Sequence, residues 1–198
     1  SPLLANLYLH YAFDLWVEQW RKRHAKGDVI IVRYADDWVA GFEHRWDAKR
    51  FKRDVAQRLN KFGLALHENK TRLIEFGRFA RDNRSRRGQG KPETFDFLGF
   101  THCCGKTRKG KFMVLRITSA KRLRAKLHAV TDELRRRMHR PIAEQGQYLR
   151  SVVAGHGRYF AVPCNGARVQ AFRFQVGRLW HRTLCRRSQA KHLSWKRM

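Results

Sequence analysis

Negative charge is what this chain has least of. Sixteen Asp and Glu stand against 44 Lys and Arg, giving a formal net charge of +28 and an isoelectric point near 11.3. A chain this poor in acids cannot balance its own field, which implies a polyanionic partner. Cysteine and proline occur four times each. Cys103, Cys104, Cys164 and Cys185 show no C-x-x-C spacing, which argues against a disulfide scaffold or a zinc ribbon and leaves them as reduced packing residues. His102, beside Cys103 and Cys104, is the nearest approach to a metal cluster, and a weak one. No apolar run approaches the ~20 residues of a membrane-spanning helix, and no charged segment leads into a signal-peptide core. A cytoplasmic protein with no membrane partner is expected. No repeat period is present.

What the chain does have is unevenly placed basic charge. Residues 1 to 80 carry a net +5 and residues 81 to 198 a net +23, so a nucleic acid would be gripped mainly by the second half, with an affinity falling steeply as salt rises. A ribosomal or histone-like binder would share that property, so charge alone does not imply catalysis. The length, 198 residues, allows one large domain or two small ones.

The most informative stretch is Val29 to Phe42, two apolar runs that meet at Tyr34-Ala35-Asp36-Asp37. Each run reads as a buried strand and the polar step between them as a tight hairpin turn. Side chains alternate between faces along a strand, so adjacent aspartates serve one site only where the chain turns. Two carboxylates at such a tip are hard oxygen ligands of the kind Mg²⁺ accepts while keeping waters and substrate phosphates. Aspartate is also common in turns for reasons of local hydrogen bonding, and a solvated turn remains the commoner meaning of such a pair taken alone.

Elsewhere the pattern is helical with short strands. Pro2 at a first helical position, capped by Ser1, opens a helix to about Trp20 with Leu4, Leu7, Tyr8, Tyr11 and Leu15 on its buried face. A basic loop, Arg21 to Gly27, leads into the hairpin. Ala48, Phe51, Val55, Leu59 and Phe62 mark a second amphipathic helix closed by Gly63, its other face (Lys49, Arg50, Lys52, Arg53, Asp54, Arg58) in solvent. Short strands are expected at Leu64–Leu66 and Leu73–Phe76, around His67-Glu68-Asn69-Lys70-Thr71. Residues 81 to 92 are polar, basic and glycine-rich, and read as a mobile loop ordered on RNA. Phe95 to Thr101 and Lys111 to Arg116 read as a hairpin. From Thr118 or Ser119 onward three helices follow, the first with Leu123, Leu127, Val130, Leu134 and Met138 on one face, the second from about Gln147 to Phe160, and the third including Val169, Phe172, Val176, Leu179 and Trp180. Along the first lie Lys121, Arg122, Arg124, Lys126, Arg135, Arg136 and Arg137, a face so one-sided in sign that a phosphate backbone accounts for it better than water does. Segregated helices and antiparallel strands define an α+β class.

Tyr34-Ala35-Asp36-Asp37 between apolar strands resembles the Tyr-x-Asp-Asp box of reverse transcriptases. Ser1 to Leu9, His67 to Thr71 and Phe97-Leu98-Gly99-Phe100 resemble, in the same order, further boxes of the group II intron-encoded reverse transcriptase/maturase family. Arg158 to Asn165 and Arg186 to Trp195 resemble the thumb, or domain X, of those maturases. The resemblance covers nearly the whole chain and implies a partial palm, an antiparallel sheet with packed helices, over residues 1–116 and an α-helical thumb bundle over 117–198.

Carried over by position, the resemblance implies that Asp36 and Asp37 are the catalytic residues holding two Mg²⁺ ions in the complete site. It likewise implies that Tyr34, Ala35 and Asn6 lie near the primer terminus, template or incoming nucleotide, that Lys70 lies near the triphosphate, and that Phe97, Leu98 and Gly99 form a primer grip. A lysine so placed would neutralise leaving pyrophosphate or donate a proton. Expected partners are intron RNA, an RNA template with a DNA primer, and deoxynucleoside triphosphates. The family's palm draws a further metal-binding aspartate from an earlier strand, so a fragment beginning at Ser1 is expected not to polymerise by itself. Two rivals remain: a splicing cofactor that binds RNA through the basic helices with a silent catalytic centre, and a CRISPR-associated or diversity-generating reverse transcriptase.

Overall fold

The computed structural model describes residues 2–187. The expected Ser1 cap and the Ser188–Trp195 part of the thumb resemblance lie outside the described residues. The chain forms two compact units that divide between Glu75 and Phe76.

The first unit opens with α1 (Pro2–Leu9), a π-helical turn (His10–Asp14) and α2 (Leu15–His24), followed by β1 (Val29–Tyr34), β2 (Asp37–Phe42) and α3 (Arg45–Asn60). The opening helix buries a different face from the one its sequence suggests. Leu4, Leu7, Tyr8, Tyr11 and Leu15 are exposed, while Ala12, Phe13, Val17 and Trp20 are buried. The π turn carries one more residue than an α turn and so shifts the phase of the helix at this point. Two of its carbonyls, Tyr11 O and Ala12 O, accept hydrogen bonds from the Arg58 guanidinium at 3.2 and 3.0 Å. Arg58 is therefore a strut of the fold and not part of a solvated face.

α3 agrees with its periodicity. Ala48, Phe51, Val55 and Leu59 are buried, and Gly63 adopts φ +66° in the turn that follows. Phe51 is the hub of an aromatic cluster, with Trp16, Trp20, Trp38 and Phe42 rings all within 5.9 Å of its own. Burial of such a ring contributes roughly 1.5–3 kcal/mol before packing is counted. The β1–β2 hairpin rests only one face on this core. Val29, Ile31, Trp38, Ala40 and Phe42 pack inward, whereas Ile30, Val32 and Tyr34 are 69, 51 and 65 % exposed. The strands are thus covered on one side and not on both, as their continuous apolar runs suggest. Leu64–Leu66 and Leu73–Phe76 have no ladder partner among the described residues, so they are not strands.

The second unit begins with α4 (Ala80–Arg86), where composition suggests a mobile loop. Arg84 orders that segment by donating to Gly90 O at 3.0 Å and pairing with Glu93 at 3.7 Å. Next comes an antiparallel sheet of β3 (Phe95–Phe97), β4 (Phe100–Lys106) and β5 (Phe112–Thr118) in sequential order. Phe97-Leu98-Gly99-Phe100 is accordingly a hairpin with a two-residue turn, not one continuous strand, and Phe97 pairs with Phe100 across it. α5 (Ala120–Arg136), α6 (Ile142–Phe160) and α7 (Gly166–Cys185) follow, around a core of Val130, Leu134, Leu149, Phe172 and Val176. Buried Gln145 closes this bundle. Its side-chain nitrogen donates to the carbonyls of Arg137, Met138 and Arg140 past the end of α5, and its oxygen accepts from Trp180 Nε1 at 3.0 Å.

None of the four cysteines forms a disulfide. Three are half-buried and Cys164 is exposed, so packing explains all but the last. Among the described residues no helix is long and apolar enough to cross a membrane.

Candidate functional site

The ladder of β1 and β2 pairs Val29 with Phe42 and closes with Tyr34 opposite Asp37. Only Ala35 and Asp36 are left to turn the chain. Ala35 carries the positive φ, +53°, that a primed hairpin turn requires at its first central position. A β-branched or bulky side chain would be strained there. The turn sets Asp36 at the tip and Asp37 on the first rung of β2. Asp37 shares the outer face with Val32 and Tyr34, while Arg33 and Trp38 face the core side.

Both carboxylates are exposed, and neither has an ion-pair or hydrogen-bond partner among the described residues. Five other acids of the same unit are already engaged. Asp14 binds Arg33, Glu18 pairs with Arg21 and Lys22, Glu43 accepts from the Asp28 amide, Asp47 accepts from the amides of Lys26 and Gly27, and Asp54 accepts from Trp20 Nε1. Asp36 and Asp37 are thus acids whose lone pairs remain free for an outside cation. Magnesium fits that donor set, because it takes one or two carboxylates and completes its octahedron with water and phosphate. No group of three His, Cys, Asp or Glu side chains with metal-ligand geometry occurs among the described residues.

The other sequence-derived candidates fall in three places. Asn6 lies beside the hairpin tip, because its Oδ1 accepts from Arg33 Nη1 at 3.1 Å while Arg33 also holds Ala35 O at 2.8 Å. Its amide NH₂ is left as a donor. Tyr34 is exposed on the outer face. Lys70 sits in the turn after His67, whose carbonyl accepts from the amides of Lys70 and Thr71 at 3.0 and 2.9 Å. No hydrogen bond or ion pair joins Lys70 to the tip among the described residues. In the second unit, Leu98 and Gly99 adopt φ +49° and +79°, the pair of positive values that a type I′ hairpin turn needs. The Leu98 carbonyl accepts from Tyr159 Oη at 2.9 Å and the Gly99 carbonyl from the Ser119 amide at 3.0 Å.

The basic face of α5 divides into two kinds of cation. Arg135 pairs with Asp132, and Arg136 and Arg137 both pair with Glu133, whose carboxyl is held below its ordinary range chiefly by the hydrogen bond from Arg137. Lys121, Arg122 and Lys126 are exposed and carry no acidic partner among the described residues, and Arg124 donates to Ala120 O within its own helix. The uncompensated charge therefore sits in the first half of α5.

Sequence reasoning missed Arg33 and Asp14. An arginine inside an apolar strand and an aspartate amid helical aromatics give no spacing signal that would join them. Their bidentate pairing, Nε to Oδ1 at 2.8 Å and Nη2 to Oδ2 at 2.5 Å, appears only once the hairpin lies against the π turn.

An α+β chain with exposed carboxylates at a hairpin tip and strong net positive charge has the features of a protein that handles nucleic acid. The family model described as reverse transcriptase (RNA-dependent DNA polymerase) matches residues 1–102, so the chain belongs to the reverse transcriptase family. In related proteins that domain is an RNA-directed DNA polymerase that works on a nucleic-acid template with deoxynucleoside triphosphates and Mg²⁺. A search of curated proteins finds no match.

Proposed function

We propose that this chain is the palm and thumb part of a group II intron-encoded reverse transcriptase that also assists splicing and mobility of its intron RNA, residues 1–116 serving as palm and 117–198 as thumb. The observation that carries the reading is the exposed Asp36–Asp37 pair, free of partners among the described residues, at the tip of a hairpin. In this mechanism Asp36 is the principal metal-holding group and Asp37 the second. Bound magnesium would polarise the primer 3′-hydroxyl and neutralise charge on the triphosphate as the α-phosphorus is attacked. Ala35, with only a methyl group, leaves room for the primer terminus. Lys70 offsets charge on the departing pyrophosphate or protonates it. Asn6 donates from its amide to template or nucleotide, and Phe97-Leu98-Gly99 bears on the primer strand.

Template and intron RNA would lie along the thumb, where Lys121, Arg122, Arg124 and Arg135 to Arg137 supply the cationic face. The Arg158–Asn165 resemblance to domain X favours a maturase over other reverse transcriptases. Primer extension on an RNA template by a protein carrying the complete polymerase domain tests the catalytic part. Asp36→Asn is expected to abolish extension while leaving RNA affinity intact, and undiminished extension would refute it. Splicing of a group II intron transcript with and without the protein tests the maturase part.

A further inference from the structure

Arg33 lies one residue before the Tyr34–Asp37 box, and its side chain is only 15 % exposed. Its guanidinium reaches three segments at once. Two nitrogens grip both oxygens of Asp14 on the π turn, and Nη1 is shared between Asn6 Oδ1 on α1 and the carbonyl of Ala35 in the hairpin turn. Ala35 is the residue held in the left-handed region, and Asp36 is its neighbour. The planar fork of arginine suits such multiple engagement, because its donors are fixed relative to one another. Asp14, for its part, stands where the helix departs from α geometry, a kind of irregularity that clusters at functional sites.

We propose that Arg33 is the positioning residue of the metal site: by clamping Ala35 O to Asp14 and Asn6, it sets the orientation of the turn and hence the separation of the Asp36 and Asp37 carboxylates. The inference rests on the reading of those two aspartates as metal ligands. A supporting residue of this kind acts by removing freedom from a ligand-bearing loop before the ion arrives, as outer partners of metal ligands do elsewhere. The hairpin needs such help, because its outer face is bare and its turn is made by an alanine with no glycine to relax it.

Backbone ¹⁵N relaxation on the whole chain reads the turn directly. In Arg33→Gln and in Asp14→Asn the order parameter of the Asp36 amide is expected to drop from the rigid value of about 0.85 to below about 0.6, while amides of α3 keep theirs. Mn²⁺ titration followed by electron paramagnetic resonance should show about tenfold weaker binding in both variants. Arg33→Lys should not restore it, since an ammonium cannot span Asp14 and Ala35 together. Should Arg33→Gln fail to fold, Asn6→Ala, at an exposed position, removes one acceptor and should give a smaller change in the same direction. Unaltered order at residues 35 to 37 in a folded Arg33→Gln or Asp14→Asn protein overturns the positioning role. A loosened turn combined with Mn²⁺ binding that ignores Asp36→Asn supports the clamp and overturns the metal reading instead.

Discussion

Tyr159 donates its hydroxyl to the carbonyl of Leu98 at 2.9 Å, and Leu98 is one of three non-glycine residues with positive φ among those described. The relationship parallels the one at the other hairpin, where Arg33 holds Ala35 O. In both turns a residue forced into the left-handed region has its carbonyl fixed by a side chain. Tyr159→Phe removes one such bond at a partly exposed position and should lower stability by about 0.5–1.5 kcal/mol in urea unfolding. A turn that is also a primer grip would then lose extension efficiency by more than the stability change accounts for.

Gly99 gives an independent measure of the same turn. A Cβ there would meet the Phe160 ring at 3.5 Å, an ordinary contact, so the cost of substitution lies in the backbone at φ +79°. Gly99→Ala should destabilise by about 1–2 kcal/mol, read as a lowered urea midpoint with unchanged m-value.

Phe51 is 1 % exposed at the centre of the first unit's aromatic cluster. Phe51→Ala should cost about 3–5 kcal/mol, enough to unfold a marginal unit. Loss of near-ultraviolet circular dichroism from the surrounding tryptophans at ambient temperature would report it.

Acid should destabilise the second unit through His156. Burial, and then the nearby Lys126 charge, push its pKa below the usual histidine value of 6.5, and His102 is lowered chiefly by burial as well. Neither imidazole is fully satisfied, since His156 Nε2 and His102 Nδ1 lack partners among the described residues. Because the unfolded chain takes up these protons first, stability is complete above about pH 6.5 and falls as pH drops toward the depressed folded values. His156→Leu, stacked between Phe160 and Phe172, should flatten that slope in melting temperatures measured from about pH 7.5 to about 5.5.

RNA binding should depend more on the first half of α5 than on its last turn. Reversing Lys121, Arg122 and Lys126 to Glu is expected to weaken affinity and to reduce the salt slope by about one for each phosphate no longer neutralised. Reversing Arg135, Arg136 and Arg137, two of whose three charges Asp132 and Glu133 already offset, should do less. Filter binding at several salt concentrations distinguishes the two sets.

Wherever local pattern and tertiary role coincide, the sequence is readable. The hairpin follows from β-branched runs flanking a polar step, and α3 and the three C-terminal helices follow from the spacing of Phe51, Val55 and Leu59 or of Val130 and Leu134. Illegible features are those in which one element answers to another. Leu64–Leu66 has strand composition but no partner strand. Arg84 orders a segment whose composition suggests mobility. The apolar stripe from Leu4 to Leu15 misleads because helical phase is not constant through His10–Asp14. Residue type and spacing single out the aspartate pair, but that it is free while Asp14, Asp47 and Asp54 are engaged shows only in three dimensions.

That irregular turn makes residue count in the opening helix as consequential as residue identity. The π turn absorbs an extra residue by winding less per residue, whereas excising one position of the regular winding just before it, Leu7 to Leu9, would swing everything upstream through about 100°, carrying Asn6 out of reach of Arg33 although both of those side chains survived. Such a lesion would spare the composition of the aspartate box and still unfasten it, so a single-codon deletion here should be more damaging than most substitutions.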